Sequence, residues 1–185
     1  MKQIGTFDAA PIEQELKNTV FWNWMNIRRL NLKTDHYQVE DIILRYQKVT
    51  YPMTVQNFYE DMDCVDYFVQ DYFPKTINLI ANLFQGKSVG RVVIAKLKAG
   101  AHVTPHKDEG KYCEAHDRFH LSIITNEKVF VTCDNQTTHM PKGTIWWFDN
   151  KKTHEVKNLG FQDRVHIIVD VLKWASLSTK QTGSK

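Results

Sequence analysis

From Arg91 to Leu172 apolar residues recur at every second position, in stretches that are short and separated by turn residues. This alternation constrains the fold more than any other feature. Successive side chains of a strand point to opposite faces, so a period of two marks half-buried strands, and many short strands in succession bury their apolar faces against one another in a sandwich or barrel. Strands are expected at Arg91 to Lys98, His102 to His106, Arg118 to Thr125, Lys128 to Cys133, Thr144 to Phe148, Thr153 to Lys157 and Arg164 to Leu172, with a short eighth near Thr137 to Met140. Such a set suits a mainly β fold, a double-sheet jelly roll with helices buttressing one sheet.

The first ninety residues differ in texture. Pro11 precedes Ile12, Leu16 and Val20 at four-residue spacing, and Pro74 precedes Ile77, Ile80, Leu83 and Phe84 with Gly86 as a stop, so both stretches read as amphipathic helices packed on the β part. Val39 to Val49 is ambiguous. Tyr59 to Tyr72 mixes five acidic residues with aromatics and reads as an exposed helix face with its aromatics in the core, and Trp22 and Trp24 read as core anchors. The 185 residues suit one domain over 1–175, in which a helical or mixed part (1–90) packs on a β core (91–172), followed by a polar tail over 176–185.

Composition sets limits on partners. A net charge of +3 with scattered Lys and Arg gives no footing for nucleic acid. Cys64, Cys113 and Cys133 are odd in number and form no C-x-x-C pair, which argues against a disulfide scaffold or a zinc ribbon and for a reducing compartment. Neither a leader-like apolar segment nor a run of eighteen apolar residues occurs, so no membrane association and a cytoplasmic location are expected. The oligomeric state is not legible.

The chemistry-bearing residues lie in the β part. Residues i and i+2 of a strand share a face, so His106 and Asp108 can present an imidazole and a carboxylate to one point. Such a pair arises by chance about half a time in a chain with this many His and Asp, so its surroundings carry the weight. A distant strand bringing His154 would complete two imidazoles and a carboxylate on one face of a metal, with the opposite positions open. Alternation also places Arg118, His120 and Ser122 on one face, and Arg164, His166, Ile168 and Asp170 on one face. An arginine turned into a barrel is costly unless an anion answers it.

The blocks Gly100–Asp108, Asp117–Leu121, Gly143–Asn150, Thr153–Asn158 and Arg164–Asp170 occur in an order that resembles the aspartyl/asparaginyl β-hydroxylase family of 2-oxoglutarate oxygenases, over roughly Arg91 to Leu172. The resemblance implies a cupin-like double-stranded β-helix. It also implies that His106, Asp108 and His154 hold Fe(II), that Arg164 pairs with the distal carboxylate of 2-oxoglutarate, and that Arg118 and His120 contact the carboxylate beside the keto group, with O2 as co-reactant. The implied reaction hydroxylates an amino-acid side chain: an aspartyl or asparaginyl residue of a peptide or protein, or alternatively a free amino acid such as proline.

This chain departs from the family in places. Animal aspartyl β-hydroxylases lack the carboxylate ligand, whereas Asp108 is present here, which also argues against halogenation. Ala95 stands where a relative may place a hydroxyl near the cosubstrate, and His166 is expected to replace that contact. Two readings of another class compete: a cupin-like metal-binding module without turnover, and a zinc hydrolase, for which Glu155 lies on the wrong strand face. Lys107 to Asp117 reads as an exposed loop or a lid. His36, His116 and His139 read as surface residues, His102 as structural, and of Trp146 and Trp147 one is expected in the core and the other at the pocket or an interface.

Overall fold

The computed structural model describes residues 1–25, 27–30, 35–49 and 60–173. The expected tail over 176–185 lies outside them, as does Tyr59. The β part is built from eight strands: β4 (Val89–Leu97), β5 (His102–His106), β6 (His116–Ile124), β7 (Val129–Cys133), β8 (Gln136–Thr138), β9 (Thr144–Phe148), β10 (His154–Asn158) and β11 (Arg164–Leu172). Before them come β1 (Lys2–Thr6), β2 (Val39–Gln47) and β3 (Cys64–Asp66), with helices α1 (Ala10–Leu16) and α2 (Pro74–Leu83), and α3 (Lys111–Ala115) lies between β5 and β6.

The larger sheet has the order β1-β9-β6-β11-β4-β2-β3 and the smaller β5-β10-β7-β8, all ladders antiparallel. From β4 to β11 the chain crosses repeatedly between sheets, with only the β7–β8 hairpin staying on one side. That winding is a double-stranded β-helix, as the alternation and the resemblance led one to expect.

Alternation also sorts the core into two layers. Val92 and Ile94 of β4 and Val165, Ile167 and Val169 of β11 face outward, where Ile12 and Leu16 of α1 and Ile80 of α2 cover them. Val93, Ala95 and Leu97 of β4 and Ile168 of β11 face inward and meet Val103 and Val156 of the smaller sheet. The site therefore lies between the sheets, on the inner face.

The N-terminal part is where expectation and structure separate. Its two helices are present, but Val20 is 85% exposed and lies beyond α1. The ambiguous stretch is β2, in which Ile42, Ile43 and Leu44 are all fully buried. A strand covered on both faces loses its alternation and reads like a helix segment. The acidic stretch forms β3 and a 3-10 turn (Phe68–Tyr72) rather than one helix, and Phe68 and Tyr72 stay exposed while Val69 and Phe73 are buried. Trp22 and Trp24 pack at the margin of the outer layer, half-buried.

Lys107 to Asp117 is not a plain loop, since it holds α3. Tyr112 of α3 is fully buried, its hydroxyl accepts the Arg91 backbone N–H at 2.7 Å, and its ring stacks on His116. No disulfide occurs among the three cysteines, of which Cys113 and Cys133 are buried. Among the described residues no helix is long and apolar enough to cross a membrane.

Candidate metal centre and the buried arginine beside it

β5 and β10 are hydrogen-bonded neighbours, and His154 stands directly opposite His106 in the ladder. Asp108 follows β5 by two residues, and its backbone N–H donates to the Asn150 carbonyl at 2.9 Å. One ligand atom from each of His106, Asp108 and His154 lies within 4.8 Å of the others. The expected trio is thus brought together.

Hydrogen bonds fix which atoms it offers. His106 Nδ1 lies 2.8 Å from the Thr104 carbonyl and His154 Nδ1 lies 2.9 Å from the Lys152 carbonyl. A carbonyl only accepts, so each Nδ1 carries the proton and each Nε2 keeps its lone pair for a cation. Asp108 Oδ2 accepts from Asn150 Nδ2 at 3.0 Å and from Arg118 Nη1, which leaves Oδ1 on the side of His106 Nε2, 3.9 Å away. Burial works against the Asp108 charge, but Arg118, His154, the Asn150 hydrogen bond and His106 hold its pKa well below the usual carboxylate range. Two neutral nitrogens and one carboxylate oxygen suit a divalent first-row metal with open positions.

Arg118 was expected to reach a cosubstrate carboxylate. In the fold its Nε and Nη2 grip both oxygens of Asp170, at 2.7 and 2.9 Å, and its Nη1 serves Asp108. Its guanidinium is thus engaged by carboxylates of the chain itself.

Arg164 is different. It is buried on β11 and has no ion pair among the described residues. Its Nη2 lies 2.6 Å from His166 Nδ1 and 3.5 Å from His120 Nδ1. A guanidinium cannot accept, so both Nδ1 atoms bear lone pairs and both imidazoles carry their proton on Nε2. Burial first, and the Arg164 charge second, push both histidines well below their ordinary pKa and keep them neutral. Burial, with the like charge of Arg28, lowers Arg164 to about 9, so the guanidinium stays charged at neutral pH. Arg164 Nε, His120 Nε2 and His166 Nε2 are buried and have no hydrogen-bond partner among the described residues. Ala95 stands between Asp41 and His166 across β2, β4 and β11, and it lines the cavity.

Other assignments shift. His36 is not a surface residue: it lines the cavity, and its ring meets His106 edge-on with centroids 5.3 Å apart. Burial, ahead of the charge of Arg28, pushes its pKa well down. His116 is buried with Nδ1 on the Tyr112 carbonyl, and His139 is half-buried with Nδ1 on the Val129 carbonyl. His102 pairs with Glu155, which also holds Lys157. Neither tryptophan lines the metal cavity: Trp146 packs against the cluster of Val131 and Phe148, Trp147 donates to Asp117, and Phe148 faces the site.

Sequence reasoning missed Arg28 and His36, which sit on 3-10 turns (Ile27–Leu30 and Asp35–Gln38) with no periodic signal. It also assigned no role to Asn150 and Asp170, although alternation had put Asp170 on the Arg164 face.

Over 97 residues the chain is 27% identical to L-proline cis-4-hydroxylase of Rhizobium meliloti (strain 1021), a match covering 52% of this chain but only 35% of that protein. Solved structures with similar folds include AerE from Microcystis aeruginosa (19% identity, 45% of this chain and 36% of that one, TM-score 0.36). A predicted oxalate decarboxylase from Thermotoga maritima is similar at 17% identity over 50% of this chain and 73% of that one, TM-score 0.38. The Schizosaccharomyces pombe Cnp3 cupin domain is similar at 15% identity over 48% and 58%, TM-score 0.37. The sequence profile of aspartyl/asparaginyl β-hydroxylases matches residues 62–173, which take in every strand from β3 to β11 and all three candidate ligands. The chain belongs to the aspartyl/asparaginyl β-hydroxylase family.

Proposed function

We propose that this protein is an Fe(II)- and 2-oxoglutarate-dependent dioxygenase that hydroxylates an amino-acid side chain. His106, Asp108 and His154 would hold the metal. When bound, Fe(II) with 2-oxoglutarate as co-reductant supplies O2 activation, inserting one oxygen atom into a C–H bond and leaving succinate and CO2.

The observation that carries this reading is Arg164. A buried guanidinium without a carboxylate is expensive, and two neutral imidazoles do not discharge it. A dianionic cosubstrate whose distal carboxylate takes the guanidinium bidentately answers that cost. Charge bookkeeping around the cavity agrees. Arg28, Arg118 and Arg164 balance Asp41, Asp108 and Asp170, so a divalent cation adds two positive charges that a dicarboxylate removes.

The roles of the chain's own residues follow. The Thr104 and Lys152 carbonyls hold both ligand imidazoles in the metal-binding tautomer. Arg118 and Asn150 hold Asp108 as a one-oxygen ligand. His166 accepts from Arg164 and orients it from behind, while His120 lines the cavity beside it.

The family's own description favours an aspartyl or asparaginyl residue of a peptide or protein as substrate. The similarity to L-proline cis-4-hydroxylase favours a free amino acid as the alternative. A cupin-like metal-binding module without turnover is the competing class, and it gives Arg164 no anion to meet.

The deciding experiment is anaerobic absorbance of the Fe(II)-loaded protein during titration with 2-oxoglutarate. A visible metal-to-ligand charge-transfer band should saturate in the wild type and fail in Asp108→Ala and Arg164→Ala. In His166→Leu it should require roughly tenfold more 2-oxoglutarate, the loss of about one hydrogen bond to a charged group. Bound iron without the band would favour the module without turnover, and an unchanged affinity in His166→Leu would remove that residue from the cosubstrate site.

A further inference from the structure

A second guanidinium reaches the same cavity. Arg28 lines it beside His36, and its Nε lies 3.0 Å from Asp41 Oδ2. Asp41 is fully buried as the third residue of β2, on the face it shares with Val39 and Ile43, in a strand otherwise rich in apolar residues. A buried ion pair stabilises a fold no better than well-packed apolar side chains of the same volume. Stability alone therefore does not explain a carboxylate placed there to hold an arginine against the cavity.

The two cavity arginines differ in position. Arg164 belongs to a core strand and is buried, whereas Arg28 comes from a 3-10 turn outside the barrel strands, with 14% of its side chain exposed. Its neighbour His36 packs on the ligand His106. Arg28 thus stands on the more open side of the metal centre. Its contact with Asp41 runs through Nε, and a planar guanidinium has further N–H donors with which to take a second carboxylate.

Resting on the dioxygenase reading above, we propose that Arg28, positioned by Asp41, is the receptor for the substrate's carboxylate, and that the substrate is a free α-amino acid. Net charge selects the zwitterion. The Arg28–Asp41 pair is neutral, so an α-amino acid with its carboxylate on Arg28 leaves the loaded cavity neutral. The side-chain carboxylate of a peptide aspartyl residue would add an unbalanced negative charge, and a neutral peptide asparaginyl residue would bring Arg28 no carboxylate at all.

The test is calorimetric titration of the full chain loaded with Ni(II), with and without 2-oxoglutarate, against the standard free amino acids and the α-amides of those that bind. At least one free acid should bind, and its α-amide should bind tenfold or more weakly. Arg28→Gln should lower the acid's affinity at least tenfold and erase the difference from the amide, with partial recovery in Arg28→Lys. The affinity of both variants for 2-oxoglutarate should stay within twofold of wild type, which also shows that they fold. No amino acid bound, acid and amide bound alike, or an Arg28→Gln that loses 2-oxoglutarate instead, would each overturn the assignment. A wild type that binds no 2-oxoglutarate would sink the dioxygenase reading, while the acid-to-amide comparison made without it still decides the role of Arg28.

Discussion

Each imidazole of the candidate centre is defined by the one acceptor or donor that touches its Nδ1. Backbone carbonyls leave His106 and His154 with a free Nε2 pair, and the Arg164 guanidinium leaves His166 with the opposite tautomer. Asp108 is defined in the same way, because Asn150 and Arg118 hold one oxygen and leave the other to a cation. Behind it, Asp170 is 1% exposed and holds Arg118 through two hydrogen bonds. Asp170→Asn would loosen that grip without touching a ligand. Its affinity for Co(II), followed by the visible absorption of the bound ion, should fall 10- to 100-fold, the usual effect of losing an outer partner of a metal ligand. An unchanged affinity would mean that Asn150 alone orients Asp108. At this scale the sequence was informative where a residue sits on a strand. Alternation alone put Arg164, His166 and Asp170 on one face, and the i, i+2 rule joined His106 to Asp108. The partners that set tautomers were illegible, since Thr104 and Lys152 act through backbone carbonyls that no side-chain pattern encodes.

Among the elements, α3 shows how a short polar segment is tied down. Its five residues could not hold a helix alone, and the burial of Tyr112 supplies what length does not. The tyrosine hydroxyl reaches the β4 backbone where Gly90 leaves room: a Cβ at Gly90 would lie 2.2 Å from it. Gly90→Ala should therefore displace Tyr112, lower stability by about 1–3 kcal/mol as overpacking does, and be visible as a reduced melting temperature. Tyr112→Phe at an unaltered Gly90 should cost less, near one hydrogen bond, about 1 kcal/mol. The strands between β4 and β11 were legible from alternation and turn residues, whereas β4 and β11 themselves, covered on both faces, were legible because β-branched residues fill them, Val92, Val93 and Ile94 in one and Val165, Ile167, Ile168 and Val169 in the other. β2 is covered on both faces too, but its mixed run of isoleucine, leucine and charged residues reads equally as a helix segment. β1 was missed because a five-residue edge strand with exposed side chains has almost no apolar signal, and only its ladder to β9 reveals it.

The whole molecule carries its neutral buried histidines as a pH-dependent term. His120 and His166 have pKa values pushed well below the ordinary 6.5 by burial, ahead of the Arg164 charge. In the unfolded chain both titrate near 6.5, so below that pH the unfolded state binds more protons than the fold does. Stability is then fully present above about pH 7 and is lost as pH falls through the unfolded value, by up to about 1.4 kcal/mol per pH unit for each histidine. The urea midpoint of the metal-free protein should fall between pH 7 and pH 5.5, and fall less steeply in His166→Leu. A midpoint indifferent to pH over that window would contradict the neutral assignment. Surface pairs of lysine with a carboxylate, such as Lys152 with Asp134, are too exposed to shape this curve.

The ladder between β5 and β10 has one further consequence. Among the described residues β5 is the outermost strand of the smaller sheet, with a neighbour on one side. His106 ends that strand, Asp108 follows it, and His154 belongs to the strand it leans on. A cation shared by the three acts as a rivet through the margin of the barrel, fastening a strand that otherwise hangs from a single row of backbone bonds. If the proposed ion binds there, losing it would unfasten the mouth of the barrel first, and the part of the molecule that would receive ligands would be assembled by the same ion that acts on them.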